Sequence, residues 1–364
     1  MNQKQTRLIA AGFIFCLSFL LTTKVVHAQT SEYEVAKIIE FTAEGDTQYG
    51  DATKHWQTFK AILLDGSKQT VSVMQNELYL SNQALTVNVG DKVVVVEDTI
   101  AGGENQFLLV DAYRIPALWI STGFFVLLVL IFGRLKGLSS LLGLGTSIAV
   151  IVFYIVPQII SGADPLWISL SGSFLIATVS LFLAHGFNKR TLVAYGGTMI
   201  TLVISVFVAV QAVTFTRLFG TGTEESLYVL SDLPGISLQG LLLGGIMLGL
   251  LGVLDDITTA QSAVVDELKQ ANPALSRKEL YRRGISVGRE HIASLVNTLV
   301  LAYAGAALPL FLLFVTDQGL PLWAIFNNEI IAEEIVRTLV GSACLILAVP
   351  ITTGMAAWAF QKKS

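Results

Sequence analysis

The chain is expected to form a mainly α, polytopic helical membrane bundle of about seven spans, together with a small exported β-barrel-like domain. Three features lead there. Of its 364 residues, 53% are apolar and only 14% charged, against roughly 25% charged in a soluble globular chain. Seven apolar stretches follow Pro116, most of them near the ~20 residues that cross a bilayer. One block ahead of them, residues 29–113, instead strings short β-rich runs between turn signals. A mean hydropathy of +0.66 fits that division.

Residues 1–28 read as a secretory signal peptide or an N-terminal anchor. Lys4 and Arg7 give a basic start, Leu8 to Leu21 a short apolar core, and Val26-His27-Ala28 a small-residue cleavage context. Either way, the next block is exported. Its strands are expected at Val35–Phe41, Gln57–Leu64, Gln69–Met74, Lys92–Glu97 and Gln106–Tyr113. Asp65-Gly66, Gly90-Asp91 and Gly102-Gly103 supply turns between them. Five short strands in so few residues suit a small, OB-like barrel. OB-type barrels often bind nucleic acid, but no aromatic and basic stripe is present here. The expectation is a structural or partner-binding ectodomain and no nucleic-acid partner.

The spans are drawn at 117–133, 138–160, 166–187, 191–213, 238–258, 292–316 and 334–358, within a transmembrane domain of residues 114–364. Loop charges orient them. Arg134 and Lys136, then Lys189 and Arg190, then the basic run from Lys269 to Arg289, and finally Lys362 and Lys363 follow alternate spans. The intervening loops, with Asp164, Glu224, Glu225, Asp232, Asp317 and Glu329, are acidic or nearly neutral. Alternation of this kind follows the positive-inside rule. It implies a bacterial plasma-membrane protein with residues 29–113 outside and the C terminus cytoplasmic. The lipid bilayer is the first partner. Cys16 and Cys344 both lie in apolar runs, so neither a disulfide framework nor a thiolate metal site is expected.

The cytoplasmic segment 261–290 carries helical pattern rather than loop composition. A helix should stop at Asn272-Pro273, and Ser276-Arg277-Lys278-Glu279 reads as a capping box that starts the next. That segment could equally be a solvated basic loop or a lipid-contacting one, with Arg282 and Arg283 on acidic headgroups.

The most informative stretch runs from Gly244 to Gln261. Gly245, Gly249, Gly252, Asp256 and Thr259 fall on one helical face. Small residues there would let a neighbouring helix approach closely. Asp255 and Asp256 then follow, and ionisable groups at that depth mark either a site or the place where a helix meets water. The next span opens with Arg289-Glu290-His291 and continues to Ser294, Asn297 and Thr298. If the two helices pack through the glycine face, Asp255, Asp256, Thr259, Glu290, His291, Asn297 and Thr298 converge near the inner leaflet. Close carboxylates hold a proton or a cation between them, so the group would serve as a proton or monovalent-cation relay. The competing reading is a set of hydrogen-bonded helix ends. No catalytic residue, metal or other cofactor is expected. No Gly-x-x-x-x-Gly-Lys-Ser/Thr loop occurs, which excludes a P-loop ATPase.

The run Gly252-Val253-Leu254-Asp255-Asp256-Ile257-Thr258-Thr259-Ala260-Gln261, with Val265-Asp266-Glu267-Leu268 and Asn272-Pro273, resembles the YibE/F-like family of bacterial multi-pass membrane proteins. The resemblance covers most of the chain from Pro116 to Phe360 and implies architecture more than activity. Gly249 to Glu267 and Gly288 to Phe311 are also similar, more loosely, to helices of RND-type permeases and SecD/SecF-like proteins. That similarity implies a proton or cation role for Asp255 or Asp256, with Asn297 and Thr298 as polar neighbours.

The leading functional expectation is a transport-related membrane protein: a proton- or cation-coupled permease or an export accessory, completed by a separately encoded membrane partner or by a second copy. A scaffold with a partner-binding ectodomain and merely structural acids is the rival. An intramembrane hydrolase using Asp255 or Asp256 opposite Glu290 is the third reading.

Overall fold

A computed structural model describes residues 33–49, 52–65, 68–75, 87–99, 105–316 and 321–361. The signal or anchor at 1–28, Cys16, the glycines Gly66, Gly102 and Gly103, and Asp317, Lys362 and Lys363 lie outside these residues. The chain divides into two units, one spanning 26–131 and the other including 132–364.

The first unit holds β1 (Tyr33–Tyr49), β2 (Ala52–Leu63), β3 (Thr70–Met74), β4 (Lys92–Thr99) and β5 (Asn105–Ala112). They close into a barrel in the order β1-β2-β3-β5-β4, with β1 pairing back onto β4. The pairing of β3 with β5 is parallel and the others are antiparallel. Alternation in the sequence decides which side chains turn inward. Ala36, Ile38, Phe59, Ala61, Val71, Val73, Val93, Val95 and Leu109 fill the interior, while β3 alternates exposed and buried along its length. The five strands fall where the β-rich runs were read. The difference is at β1 and β2, which continue as a paired arm from Ala43 to Tyr49 and from Ala52 to Gln57.

The second unit is helical. The first helix, α1 (Ile115–Val150), begins in the first unit and continues through a π-helical turn at Ile151–Ile155 to Ile160. It is interrupted at Arg134, where φ is 50° and ψ −132°. There follow α2 (Pro165–His185), α3 (Lys189–Phe215), α4 (Glu224–Asp232), α5 (Leu238–Ala271), α6 (Arg277–Ala306), α7 (Leu308–Thr316), α8 (Leu322–Asn327) and α9 (Glu329–Ala359). Among the described residues, five elements are long and apolar enough to cross a membrane: Ile115–Ile160, α2, α3, α5 and α9. The expected spans at 117–133 and 138–160 fall within one 46-residue element, and the stretch 292–316 is shared between α6 and α7.

Polar residues set the helix starts. Asp164 caps α2 by accepting from Leu166 N at 2.9 Å, ahead of Pro165 in the first turn. Asn188 caps α3 through Thr191 N, and Ser237 caps α5 through Gly240 N. The capping box at Ser276 and Glu279 is present in full. Helix α5 ends at Asn272, immediately before Pro273, as the chain pattern required.

The bundle core is apolar. Leu181, Leu202, Ile246, Met247, Leu254 and Leu345 are among its buried members. Its helices come close where glycine removes the side chain. A Cβ added at Gly244 would lie 2.4 Å from Ser169 Oγ, one at Gly197 2.4 Å from Thr352 Oγ1, and one at Gly288 2.4 Å from Val349 Cγ1. Pro350 sits inside α9, between two of these contact points.

Candidate functional site at the Asp255 end of the bundle

Asp255 lies 17 residues into α5, one turn above two threonines. Its backbone carbonyl accepts from Thr259 Oγ1 at 2.7 Å and Thr258 Oγ1 at 3.4 Å. Thr258 is fully buried and meets the Thr198 hydroxyl of α3 at 2.8 Å. The Asp255 Oδ1 has no such partner: it is buried and makes no hydrogen bond among the described residues. A buried acceptor left unpaired costs the desolvation of that group without return. Asp256 is exposed on the adjoining face, and its charge reaches both Asp255 and His185 at the end of α2.

Beside this turn is a cleft of about 200 Å³ lined by His185, Asn188, Arg190, Thr191, Ala194, Thr259 and Ala263. Thr259 therefore joins the cleft wall to the Asp255 carbonyl. A second, more open depression of about 610 Å³ shares Asn188 and Arg190 and adds Asp266, Gln270 and Phe360. Arg190 stands between the two. Its guanidinium pairs with Asp266 and, at 2.6 Å, with Glu267. Ser262 Oγ donates to the Arg190 carbonyl at 2.9 Å, fixing α3 to α5 at the same level.

The residues of α6 that the sequence singled out lie on its exposed side. Among the described residues, no three His, Cys, Asp or Glu side chains gather closely enough to hold a metal ion. Helix α6 buries Leu280, Gly284 and Gly288. Glu290 follows Gly288 by two residues, about 200° round the helix, and is exposed, as are His291, Asn297 and Thr298. The Thr298 hydroxyl is spent on the Ser294 carbonyl.

The glycine face is displaced in the same way. Gly245 and Gly252 have open space around them, and Gly249 meets the Tyr303 hydroxyl. The close helix approaches are made by Gly244 towards α2 and by Gly284 and Gly288 of α6 towards α5 and α9. The reason is the position of Leu243, Met247, Leu250 and Leu254, whose buried stripe turns the other glycines outward.

Sequence reasoning treated Gln261 only as part of a motif, yet it ties three helices. Its Nε2 donates to the Gly284 carbonyl at 2.7 Å and to Thr353 Oγ1 at 2.8 Å, and the residue is buried. It lies past the apolar part of α5, among Thr258, Thr259 and Ser262, so no contrast in composition marked it out.

A sequence profile described as YibE/F-like protein matches residues 121–362. The chain belongs to the YibE/F-like family. In this YibE/F-like protein the matched region takes in the whole Asp255 neighbourhood, including the α3, α5, α6 and α9 contacts described above. The apolar helices and the family together make it a membrane protein. No curated protein and no solved structure matches the chain.

Proposed function

We propose that this YibE/F-like protein is a proton- or monovalent-cation-coupled permease, or an accessory to export, in the bacterial plasma membrane. The observation that carries the reading is the Asp255 carboxyl, whose buried Oδ1 lacks a partner in a helix long and apolar enough to cross a bilayer. An acid at that position is costly unless it exchanges a proton or meets a cation. The Thr259-walled cleft gives the exchange an aqueous side, and the Thr258–Thr198 pair leads from the same turn into the core. Asp256 and His185 bias the charge at the mouth. Glu290, His291, Asn297 and Thr298 take an outer part, as surface groups along the approach.

The proposed topology has seven spans. An element of 46 residues is more than twice the ~20 that a bilayer needs, and the break at Arg134 divides it. The apolar part of α6 with α7 supplies the sixth. Loop charge supports an orientation with residues 29–113 outside and the C terminus in the cytoplasm. A second copy or a separate membrane protein completes the pathway.

The test is pH- and cation-dependent flux in vesicles of verified orientation, comparing the native protein with Asp255→Asn, Asp256→Asn and the double variant. Flux should fall in Asp255→Asn and in the double variant while Asp256→Asn keeps most of it. Native protein without flux, or flux indifferent to Asp255→Asn, overturns the reading.

A further inference from the structure

The loop between α3 and α4 is bound to the first turn of α9 by carboxylates. Glu329 Oε1 accepts from three successive backbone N–H groups, Phe219 at 2.6 Å, Gly220 at 3.0 Å and Thr221 at 3.3 Å. Its Oε2 accepts from the Thr221 hydroxyl at 2.7 Å. One turn on, Glu333 is only 3% exposed and accepts from Gly222 N at 2.9 Å. Two glutamates at i and i+4 thus take all four consecutive amides from Phe219 to Gly222. Consecutive N–H groups curved round one oxygen form an anion cradle, and here the protein supplies the anion itself.

Glycines let the loop come this close to its partners. Gly220 has φ +84°, and a Cβ there would meet the Leu238 carbonyl of α5 at 2.3 Å. A Cβ at Gly222 would fall 2.7 Å from the Glu333 carboxyl carbon. Gln239 of α5 donates to the Leu218 carbonyl at 2.7 Å, closing the near side. The loop is therefore held between α5 and α9, 108–111 residues away from its carboxylate partners.

The neighbouring charges do not replace either carboxylate. On α9, Arg337 pairs with Glu334 at 2.6 Å, and both act on Glu333 and on Tyr303 of α6. Arg217 precedes the loop, Glu224 and Glu225 follow it on α4, and α5 contributes the neutral Gln239.

We infer that Glu329 and Glu333 form a proton-operated latch that holds the Phe219–Gly222 loop in place when ionised and lets it go on protonation. A carboxylate offers acceptors only, which is what four amides and a hydroxyl require; a carboxylic acid keeps one proton and turns a donor towards donors. Charge-assisted bonds are roughly twice as strong as neutral ones, so protonation weakens each contact as well. The latch stands independently of the transport reading, since it needs no flux through the bundle.

Hydrogen exchange of the full-length protein in detergent, followed by mass spectrometry and corrected for intrinsic rates, reads the latch directly. From about pH 8 to about pH 3, past the ordinary glutamate range because four donors hold the Glu329 carboxylate ionised to lower pH, protection of the Phe219–Gly222 amides should fall on the order of tenfold or more. In Glu329→Gln/Glu333→Gln that dependence should vanish, leaving weaker protection that is flat with pH. Peptides from α5 report whether the variant is folded; if they lose protection, the single Glu333→Gln change and the native pH profile decide. Native protection that stays flat with pH, or a dependence that persists in the folded variant, overturns the latch.

Discussion

Thr198 and Thr258 bring their hydroxyls to 2.8 Å with both residues fully buried, joining α3 to α5 beside Asp255. Each also has a local fallback, Thr198 to the Ala194 carbonyl and Thr258 to the Asp255 carbonyl. Thr198→Val and Thr258→Val should therefore each lower stability by about 0.6 kcal/mol, the average for hydrogen bonds between membrane helices. Denaturant titration in detergent, run as a double-mutant cycle, should give a coupling close to the single losses. Additive losses would show that the two hydroxyls do not act as a pair.

Gly288→Ala and Gly252→Ala should differ in sign. The first forces a methyl to within 2.4 Å of Val349 Cγ1, an overpacking that costs about 1–3 kcal/mol. The second enters open space and gains up to about 1 kcal/mol from helix propensity. Melting temperatures of the two variants under one set of conditions check this.

Arg190→Ala removes the partner of Asp266 and Glu267 at the rim of both clefts. With more than a third of its side chain exposed, the loss should stay below about 1 kcal/mol. It should also shrink as salt is raised. A salt-independent loss would locate the effect in packing instead.

Glu279 titrates below the ordinary glutamate range because the Ser276 backbone N–H, then the Ser276 hydroxyl, donates to its carboxylate. A depressed folded value means that the capping box adds stability above the unfolded pKa and loses it as pH falls through the folded one. A carboxyl ¹³C titration should find a midpoint below that of an exposed glutamate. Ser276→Ala should move it part of the way back up, because the backbone N–H remains.

Much of the architecture was legible because local chemistry dictated it. Short β-rich runs between turn signals placed all five strands, and Ser276 to Glu279 placed the start of α6. The β1–β2 arm was not legible: Ala43 to Gln48 is polar, with Gly45 opposite Trp56, so no inward-facing apolar pattern marks it. Asp255 was visible as an acid following an apolar run, but the exposure of Glu290 was not. That outcome depends on which face of α6 packs, and Gly284 and Gly288 decide it by admitting Thr353 and Val349. The Glu329 contact joins positions 108–110 residues apart and leaves no periodic trace.

Pro350 has no backbone N–H to offer the Ile346 carbonyl, so the ladder of α9 lacks a rung in mid-helix. The surrounding helices grip α9 on either side of that gap. Val349 packs on Gly288, Thr352 on Gly197, and Thr353 is held by Gln261. The hold on this stretch thus comes from three neighbours. Loosening any one of them frees α9 to bend at a place its own backbone no longer stiffens.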